Sequence, residues 1–194
     1  YRIKEGYKDP SQIMGFAKTH QAMTKLNKLI VDSLINHNIP AVGVQPSSCV
    51  VTKSGRIQSM EERPLIKMLE TGVVPVLYGD VVLDSETGFA ILSGDQLVSS
   101  LAIRLNADRI IIGVDVDGLC TADPKIHSSA HLIQRITLKE LKNLQHKIEG
   151  SKTTDVTGGM LGKMLELTPA GKRGIRTMIV NATKPNVSYK ALKN

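Results

Sequence analysis

Four polar loops in the sequence carry the residue types that phosphate binding requires. Three of them follow apolar runs typical of buried strands, and the fourth opens a predicted helix. The loops are Tyr78-Gly79-Asp80, Ser93-Gly94-Asp95, Asp115-Val116-Asp117-Gly118 (continuing to Asp123-Pro124-Lys125) and Asp155-Val156-Thr157-Gly158-Gly159, with Lys163 one turn further on. Because α/β sheets bind ligands at the carboxyl ends of their strands, we expect the functional residues in these loops.

Glycines at predicted helix starts indicate what these loops could bind. Gly158-Gly159 and Ser93-Gly94 would expose backbone N–H groups at the positive end of a helix dipole, and Lys163 would add a mobile charge. Two such ends facing each other would bind a phosphate donor and a phosphate acceptor. The acidic residues that could hold lysines or Mg²⁺ in register are Asp80, Asp95 and Asp115. This layout suits phosphoryl transfer, in which catalysis is mostly positioning and charge neutralisation.

The same motifs also have plainer interpretations. A Gly-Asp pair after a strand is typical of a tight turn with a helix cap, and Asp95 itself could cap the helix that follows it. The 115–118 motif resembles the start of a calcium loop but lacks the later ligands. His127 and His131 are four residues apart without a third ligand, so we predict solvated loop histidines and no metal-ligating residues. No Walker A or GxGxxG sequence is present.

The elements that must position these loops alternate along the chain. Apolar spacing predicts a long helix from Ser11, and Thr137 with Glu140 forms a capping-box pattern. The run Ile110–Ile112, continuing to Val114, predicts a strand covered on both faces. Hairpins are predicted around 53–56 and 85–87, and a strand over 176–181 closes the chain. Strands alternating with helices predict an α/β fold with a largely parallel sheet.

Composition narrows the classes of partner. The chain has 194 residues with 25 Lys+Arg and 18 Asp+Glu, a net charge of +7, and only six aromatic residues. The basic residues are dispersed and the six aromatic residues leave little for base stacking, so we expect phosphate-rich small molecules and no nucleic acid. No apolar run is long enough to cross a membrane, so no membrane partner is expected. Two distant cysteines without a CxxC motif favour a reducing, cytoplasmic setting.

Taken together, the four loops resemble, in order, the motifs of the amino-acid kinase superfamily. The helix with His20, Met23, Leu26 and Asn27, followed by Ile39-Pro40-Ala41 and Pro46-Ser47-Ser48, is similar to the isopentenyl phosphate kinase branch. The resemblance extends over essentially the whole chain. It implies a three-layer α/β sandwich with a mainly parallel central sheet between helices. Residues 1–104 would form an acceptor-binding and dimerisation lobe, and residues 105–194 a nucleotide-binding lobe.

The resemblance also implies roles for individual residues. The nucleotide ATP would be bound by Asp115, Gly118, Asp123, Lys125, Gly158, Gly159 and Lys163. Ser93, Gly94 and Asp80 would bind the acceptor, while Lys163 and Asp95 would be catalytic, Asp95 by orienting lysines. The implied reaction converts isopentenyl phosphate and ATP, with Mg²⁺, to isopentenyl diphosphate and ADP in an archaeal-type mevalonate route. A homodimer is expected.

Departures from the family pattern leave alternatives open. The family opens with a lysine-bearing strand and a Gly-Gly-Ser loop, then a second glycine-rich loop whose histidine binds the acceptor phosphate. Neither is present, and Tyr1 would fall just after that histidine, so we expect a fragment. Gln96, Val114 and Cys120 replace a common Asp, Thr and Tyr. The alternatives are a sister kinase acting on a carboxylate, a nucleoside monophosphate or fosfomycin, and a non-catalytic nucleotide-binding module.

Overall fold

The computed structural model describes residues 2–121, 128–149 and 159–193. It has the predicted α/β fold, divided into two compact units: unit 1, Tyr1–Leu97, and unit 2, Val98–Asn194. The boundary falls inside a helix, seven residues before the predicted lobe boundary at 104. Val98, Ala102 and Ile103 explain this position, because these helix residues belong to the apolar core of unit 2.

Unit 1 contains two sheets. Strands β1 (Ala41–Gly43) and β4 (Val74–Val76) pair in parallel. The second sheet has the order β3-β2-β5-β6, with parallel β2–β5 pairing and antiparallel pairing of β2 with β3 and of β5 with β6. Its strands are β2 (Val50–Lys53), β3 (Arg56–Met60), β5 (Asp80–Asp84) and β6 (Gly88–Leu92). Both predicted hairpins are therefore confirmed, and three of the five described strand pairings are parallel.

The helices of unit 1 cover a core built on β5. Helix α1 (Ser11–Asn36) begins at the predicted residue, α2 spans Arg63–Glu70, and α3 (Gly94–Arg104) begins at the end of the unit. Val81 and Val82, which are adjacent in β5, are both fully buried. Because neighbouring strand residues point to opposite faces, this sheet is covered on both sides.

Unit 2 is built on one pair of parallel strands, β7 (Arg109–Val114) and β8 (Arg176–Asn181), whose ends are in register at Val114 and Asn181. Helices α4 (Leu138–Glu149), α5 (Met160–Lys172) and α6 (Val187–Lys193) complete the described part of the unit. Its core cluster joins the end of α3, strand β7 and α5 through Ala102, Ile110, Leu167 and Ala170. The predicted strand at Ile110–Val114 is thus confirmed.

Two local predictions were wrong. The cap of α3 is Ser93, whose hydroxyl accepts a hydrogen bond from the Gln96 N–H at 3.1 Å, and Asp95 lies inside the first turn. Strand β8 does not close the chain, because α6 follows it; this seven-residue helix buries Ala191 alone and lacks a clear apolar stripe. The capping box is confirmed, since the Glu140 N–H donates to the Thr137 hydroxyl and the Glu140 carboxylate accepts from the Thr137 N–H. In the described part of the chain, no helix has the length and apolar content to span a membrane.

Candidate functional site

The structure brings the predicted acceptor-binding residues of unit 1 together at one edge of the four-stranded sheet. Asp80, at the start of β5, pairs in register with Leu92, the last residue of β6, so the loops 78–80 and 93–95 lie side by side. A Cβ atom on Gly79 would lie 3.2 Å from both the Gly94 nitrogen and the Leu92 carbonyl oxygen. Glycine at 79 therefore lets the two backbones approach closely at the start of α3.

Asp80 is held inside unit 1 by a histidine. Its side chain is fully buried, and both carboxylate oxygens lie 3.0 Å from Nδ1 of His20 on α1. The Val81 N–H also donates to Oδ1 of Asp80 at 2.9 Å. The Thr24 hydroxyl lies 3.3 Å from Nε2 of His20 and 3.4 Å from the Tyr78 hydroxyl. These contacts fasten α1 to the loop before β5, so Asp80 has a clear structural partner beside its predicted role with the substrate.

Gln96, one of the departures from the family pattern, is also buried in unit 1. Its side-chain oxygen accepts the Ile57 N–H at 2.8 Å, and its Nε2 donates to the Gly55 carbonyl at 3.1 Å. Both partners belong to the β2–β3 hairpin. Gln96 therefore anchors this hairpin to the first turn of α3.

The carboxyl ends of β7 and β8 place polar residues of unit 2 side by side. Asp115 is exposed directly after β7, and Asp117 follows two residues later. Nδ2 of Asn181, at the end of β8, donates to Oδ1 of Asp117 at 2.9 Å, and Nζ of Lys184 lies 2.5 Å from the same oxygen. The Lys184 ammonium and the Asn181 amide hold the pKa of Asp117 below its usual range. A carboxylate, an amide and an ammonium group thus meet at the strand ends.

Two features favour glycine at position 118. Its φ of +139° is a conformation that side chains rarely adopt, and an added Cβ would lie 3.0 Å from Cδ1 of Leu132. The loop then continues to the buried Leu119. Cys120 pairs with Leu132 in an isolated antiparallel β-bridge, through backbone atoms. The Thr121 N–H donates to the His131 carbonyl at 2.9 Å. Gly118 therefore lets the loop after β7 turn back against the 131–133 segment.

The start of α5 has the backbone geometry that the glycine motif predicts. Gly159 is the N-cap residue and has a φ of +79°, in the left-handed region. Lys163 lies in the first turn of the helix, where its N–H donates to the Gly159 carbonyl at 3.3 Å. The predicted residues Asp123, Lys125 and Gly158 lie outside the described residues, as does His127.

Sequence comparison decides the family. A family model for the amino acid kinase family matches residues 1–181. The chain belongs to the amino acid kinase family. It is 42% identical over 181 residues to an isopentenyl phosphate kinase of Methanothermobacter thermautotrophicus, covering 92% of this chain and 66% of that protein. With an isopentenyl phosphate kinase of Methanocaldococcus jannaschii it shares 36% identity, covering 92% of this chain and 64% of that protein.

A solved structure described as "X-ray structures of isopentenyl phosphate kinase" superposes with a TM-score of 0.84 and 37% identity, covering all of this chain and 73% of that one. This amino acid kinase chain therefore spans just under two thirds of the length of the two relatives that it matches.

The sequence did not reveal the partners that hold the acidic loop residues. Asp117 stands in a recognised motif, but its partners Asn181 and Lys184 lie more than 60 residues away. His20 is likewise 60 residues from Asp80. Spacing along the chain carries no signal for such pairs. The parallel register of β7 and β8 could have placed Asn181 beside the loop after β7, because both strands end at that edge.

Proposed function

We propose that the protein transfers the γ-phosphoryl group of ATP to isopentenyl phosphate, giving isopentenyl diphosphate and ADP, a step that supplies an isoprenoid precursor. The observation that carries this proposal is the 42% identity to an isopentenyl phosphate kinase over 181 residues, which includes the loops at the strand ends. Membership of the amino acid kinase family supports the phosphoryl donor. The identity to this particular kinase supports the acceptor.

We assign the nucleotide to unit 2. The site lies at the strand ends, where α/β proteins bind ligands. It is bordered by Asp115, which is exposed after β7, and by Gly118, at which the loop turns back. Gly159 offers the α5 N-terminus to the β- and γ-phosphates. Lys163 neutralises negative charge on the phosphoryl group as it leaves ADP. Three further residues are proposed from the sequence alone: Asp123, Lys125 and Gly158.

The acceptor residues that we propose belong to unit 1. Ser93 and Gly94 stand at the start of α3, where N–H groups and the helix dipole favour a phosphate monoester. Asp95, in the first turn, orients catalytic lysines. Asp80 lies at the base of the loops 78–80 and 93–95, where its contact with His20 holds it in place.

Magnesium enters the proposal with the nucleotide. No three His, Cys, Asp or Glu side chains cluster as a metal cage among the described residues. Mg²⁺ is commonly bound by one or two carboxylates together with substrate phosphates and water, and the exposed carboxylate of Asp115 fits that pattern. When bound, Mg²⁺ would neutralise charge on the nucleotide phosphates.

Assembly and location complete the proposal. Three apolar side chains on one face of α1, each between about half and two thirds exposed, would be covered in a homodimer: Leu26, Leu29 and Ile30. Both cysteines, Cys49 and Cys120, are free thiols, which supports the reducing environment of the cytoplasm. Sedimentation velocity at micromolar concentration tests the dimer directly.

An acceptor panel followed by ³¹P NMR tests the reaction. The protein is expressed from its full-length gene, purified and incubated with MgATP and, in separate samples, isopentenyl phosphate, UMP, glutamate or fosfomycin. We expect ADP and new diphosphate resonances with isopentenyl phosphate, faster than with any other acceptor. Turnover with another acceptor alone would assign a sister kinase, and ATP binding without any transfer would assign a nucleotide-binding module. Either result would overturn the proposal.

A further inference from the structure

Lys184 is an exposed cation at the strand ends of unit 2 that the proposed phosphate-binding residues do not include. Its side chain is 56% exposed and that of its partner Asp117 is 54% exposed. It lies in the loop after β8, at the carboxyl edge of the parallel pair β7–β8. This is the edge at which α/β sheets bind ligands.

Asn181 fixes the loop that carries Lys184. The Asn181 side-chain oxygen accepts hydrogen bonds from the Thr183 N–H at 3.0 Å and from the Thr183 hydroxyl at 2.6 Å. Its Nδ2 donates to Asp117, so one side chain ties the loop after β8 to the loop after β7. The Ala182 N–H donates to the Val114 carbonyl at 2.8 Å, which extends the ladder beyond the strands. Lys184 therefore projects from a braced backbone.

The ion pair that holds Lys184 is easily exchanged. A pair with both side chains more than half exposed contributes little to stability, because water and salt screen it. An ammonium group has three donors, and a phosphate group with more than one negative charge offers it a charge-assisted hydrogen bond in place of the solvated carboxylate. The hydrogen bonds of Asn181 hold this loop in place although the ion pair itself is weak. Such an arrangement suits a lysine that binds a ligand.

We propose that Lys184 is a nucleotide phosphate-binding residue, which Asp117 holds in the free protein and releases to a phosphate oxygen when ATP or ADP binds. This inference rests on the proposed nucleotide site of unit 2. Asp117 competes with the phosphate for the Lys184 ammonium group.

Titration calorimetry with MgATP, MgADP and adenosine tests the role of Lys184. We expect Lys184→Met to weaken MgATP and MgADP binding by about tenfold, the effect of one charge-assisted hydrogen bond, and to leave adenosine binding unchanged. Lys190→Met on α6 is the matched control, since it removes the same charge from an exposed residue of the same segment. It should change MgATP affinity less than twofold. Equal losses for MgATP and adenosine, or an unchanged MgATP affinity in Lys184→Met, would overturn the inference.

Asp117→Asn distinguishes the proposed exchange, in which Lys184 leaves Asp117 for a phosphate oxygen, from a general effect of charge. Exchange predicts that Asp117→Asn tightens MgATP binding in the native background and has no effect in the Lys184→Met background. Additive effects in the double variant would show that the two charges act independently, against the proposal. If the unmodified protein binds no MgATP, the proposed function fails and this inference fails with it. If it binds MgATP and Lys184→Met binds equally well, the inference alone fails.

Discussion

Asp84, the last residue of β5 in unit 1, and Asp117, in the loop after β7 in unit 2, are both acidic, but their surroundings differ. Asp84 is 5% exposed and accepts five hydrogen bonds, from four backbone N–H groups and from the Thr52 hydroxyl. Burial alone would raise the pKa of Asp84, but these donors lower it far below its usual range. Asp117 is more than half exposed and contacts the side chains of Asn181 and Lys184.

The difference separates structural carboxylates from those available to a ligand. The chain itself saturates Asp84, which organises the turn between β5 and β6 and holds the tip of the β2–β3 hairpin at Ser54 and Gly55. Asp80 shares this character, because it is buried against His20. The charged side chains that follow β7 and β8, those of Asp115, Asp117 and Lys184, are exposed. We therefore expect unit 2 variants at exposed charges to change ligand binding, and unit 1 variants at buried carboxylates to change stability.

The largest expected effect is on turnover, in Lys163→Ala. Removing a cation that neutralises transition-state charge should lower kcat with isopentenyl phosphate by about 100- to 1000-fold. The variant should keep its fold, because alanine is a strong helix former in the first turn of α5. Lys172→Ala, at the exposed end of the same helix, is the control and should retain full turnover. Unchanged turnover in Lys163→Ala would remove this lysine from the mechanism.

Asp84→Ala should give the largest loss of stability. It leaves four N–H groups and a hydroxyl without their acceptor in a buried turn, so we expect the free energy of unfolding to fall by about 3 to 4 kcal/mol. Urea denaturation measures it. Asp32→Ala, which breaks the exposed Lys28–Asp32 pair on α1, should cost less than about 0.5 kcal/mol. Equal losses of unfolding free energy in the two variants would show that buried and exposed carboxylates contribute equally to stability, against this account.

His20→Ala tests whether Asp80, like Asp84, contributes to the stability of unit 1. The variant leaves a buried carboxylate without its partner, and we expect a loss of about 2 kcal/mol, below the range for a completely buried pair because His20 is partly exposed. His37→Ala, which removes an exposed contact to the Ser33 carbonyl, is the control. A loss no greater than that of the control would mean that the His20–Asp80 contact adds no stability.

A smaller effect is expected in the pH dependence of stability, and it appears only at acid pH. The pKa of Asp84 is lower in the folded protein than its ordinary value of 3.8. The unfolded chain therefore binds the proton first, and the contribution of Asp84 is complete above about pH 5 and is lost as the pH falls further. The difference in unfolding free energy between the native protein and Asp84→Ala should shrink between pH 5 and pH 2, in urea titrations at about half-unit steps. A difference that stays constant over this range would contradict the assignment.

Local patterns were enough to predict much of the fold. The two hairpins, the β7 strand, the start of α1 and the capping box of α4 each depend on a few consecutive residues, and all are confirmed. Helix α6 was missed because its seven residues bury a single alanine. The cap of α3 was placed at Asp95, two residues after Ser93, because both residue types favour that position.

The candidate site was predictable as motifs, but its contacts were not. Gly118 and Gly159, which the motifs singled out, both have positive φ angles that glycine adopts without strain. The contacts His20–Asp80 and Asn181–Asp117 depend on how distant segments pack, and no spacing rule relates residues 60 or more positions apart. Such side chains can be placed only once the register of the strands and helices is known.

Nucleotide titration of the ¹⁵N-labelled protein, followed by ¹H–¹⁵N NMR, tests the central claim that unit 2 carries the nucleotide site. With MgADP we predict the largest amide shifts at 115–118, Gly159 and 181–184, while the Asp84 turn at 85–87 keeps its signals. Saturating MgADP that leaves the unit 2 amides unmoved, or that shifts the Asp84 turn most, would contradict the account.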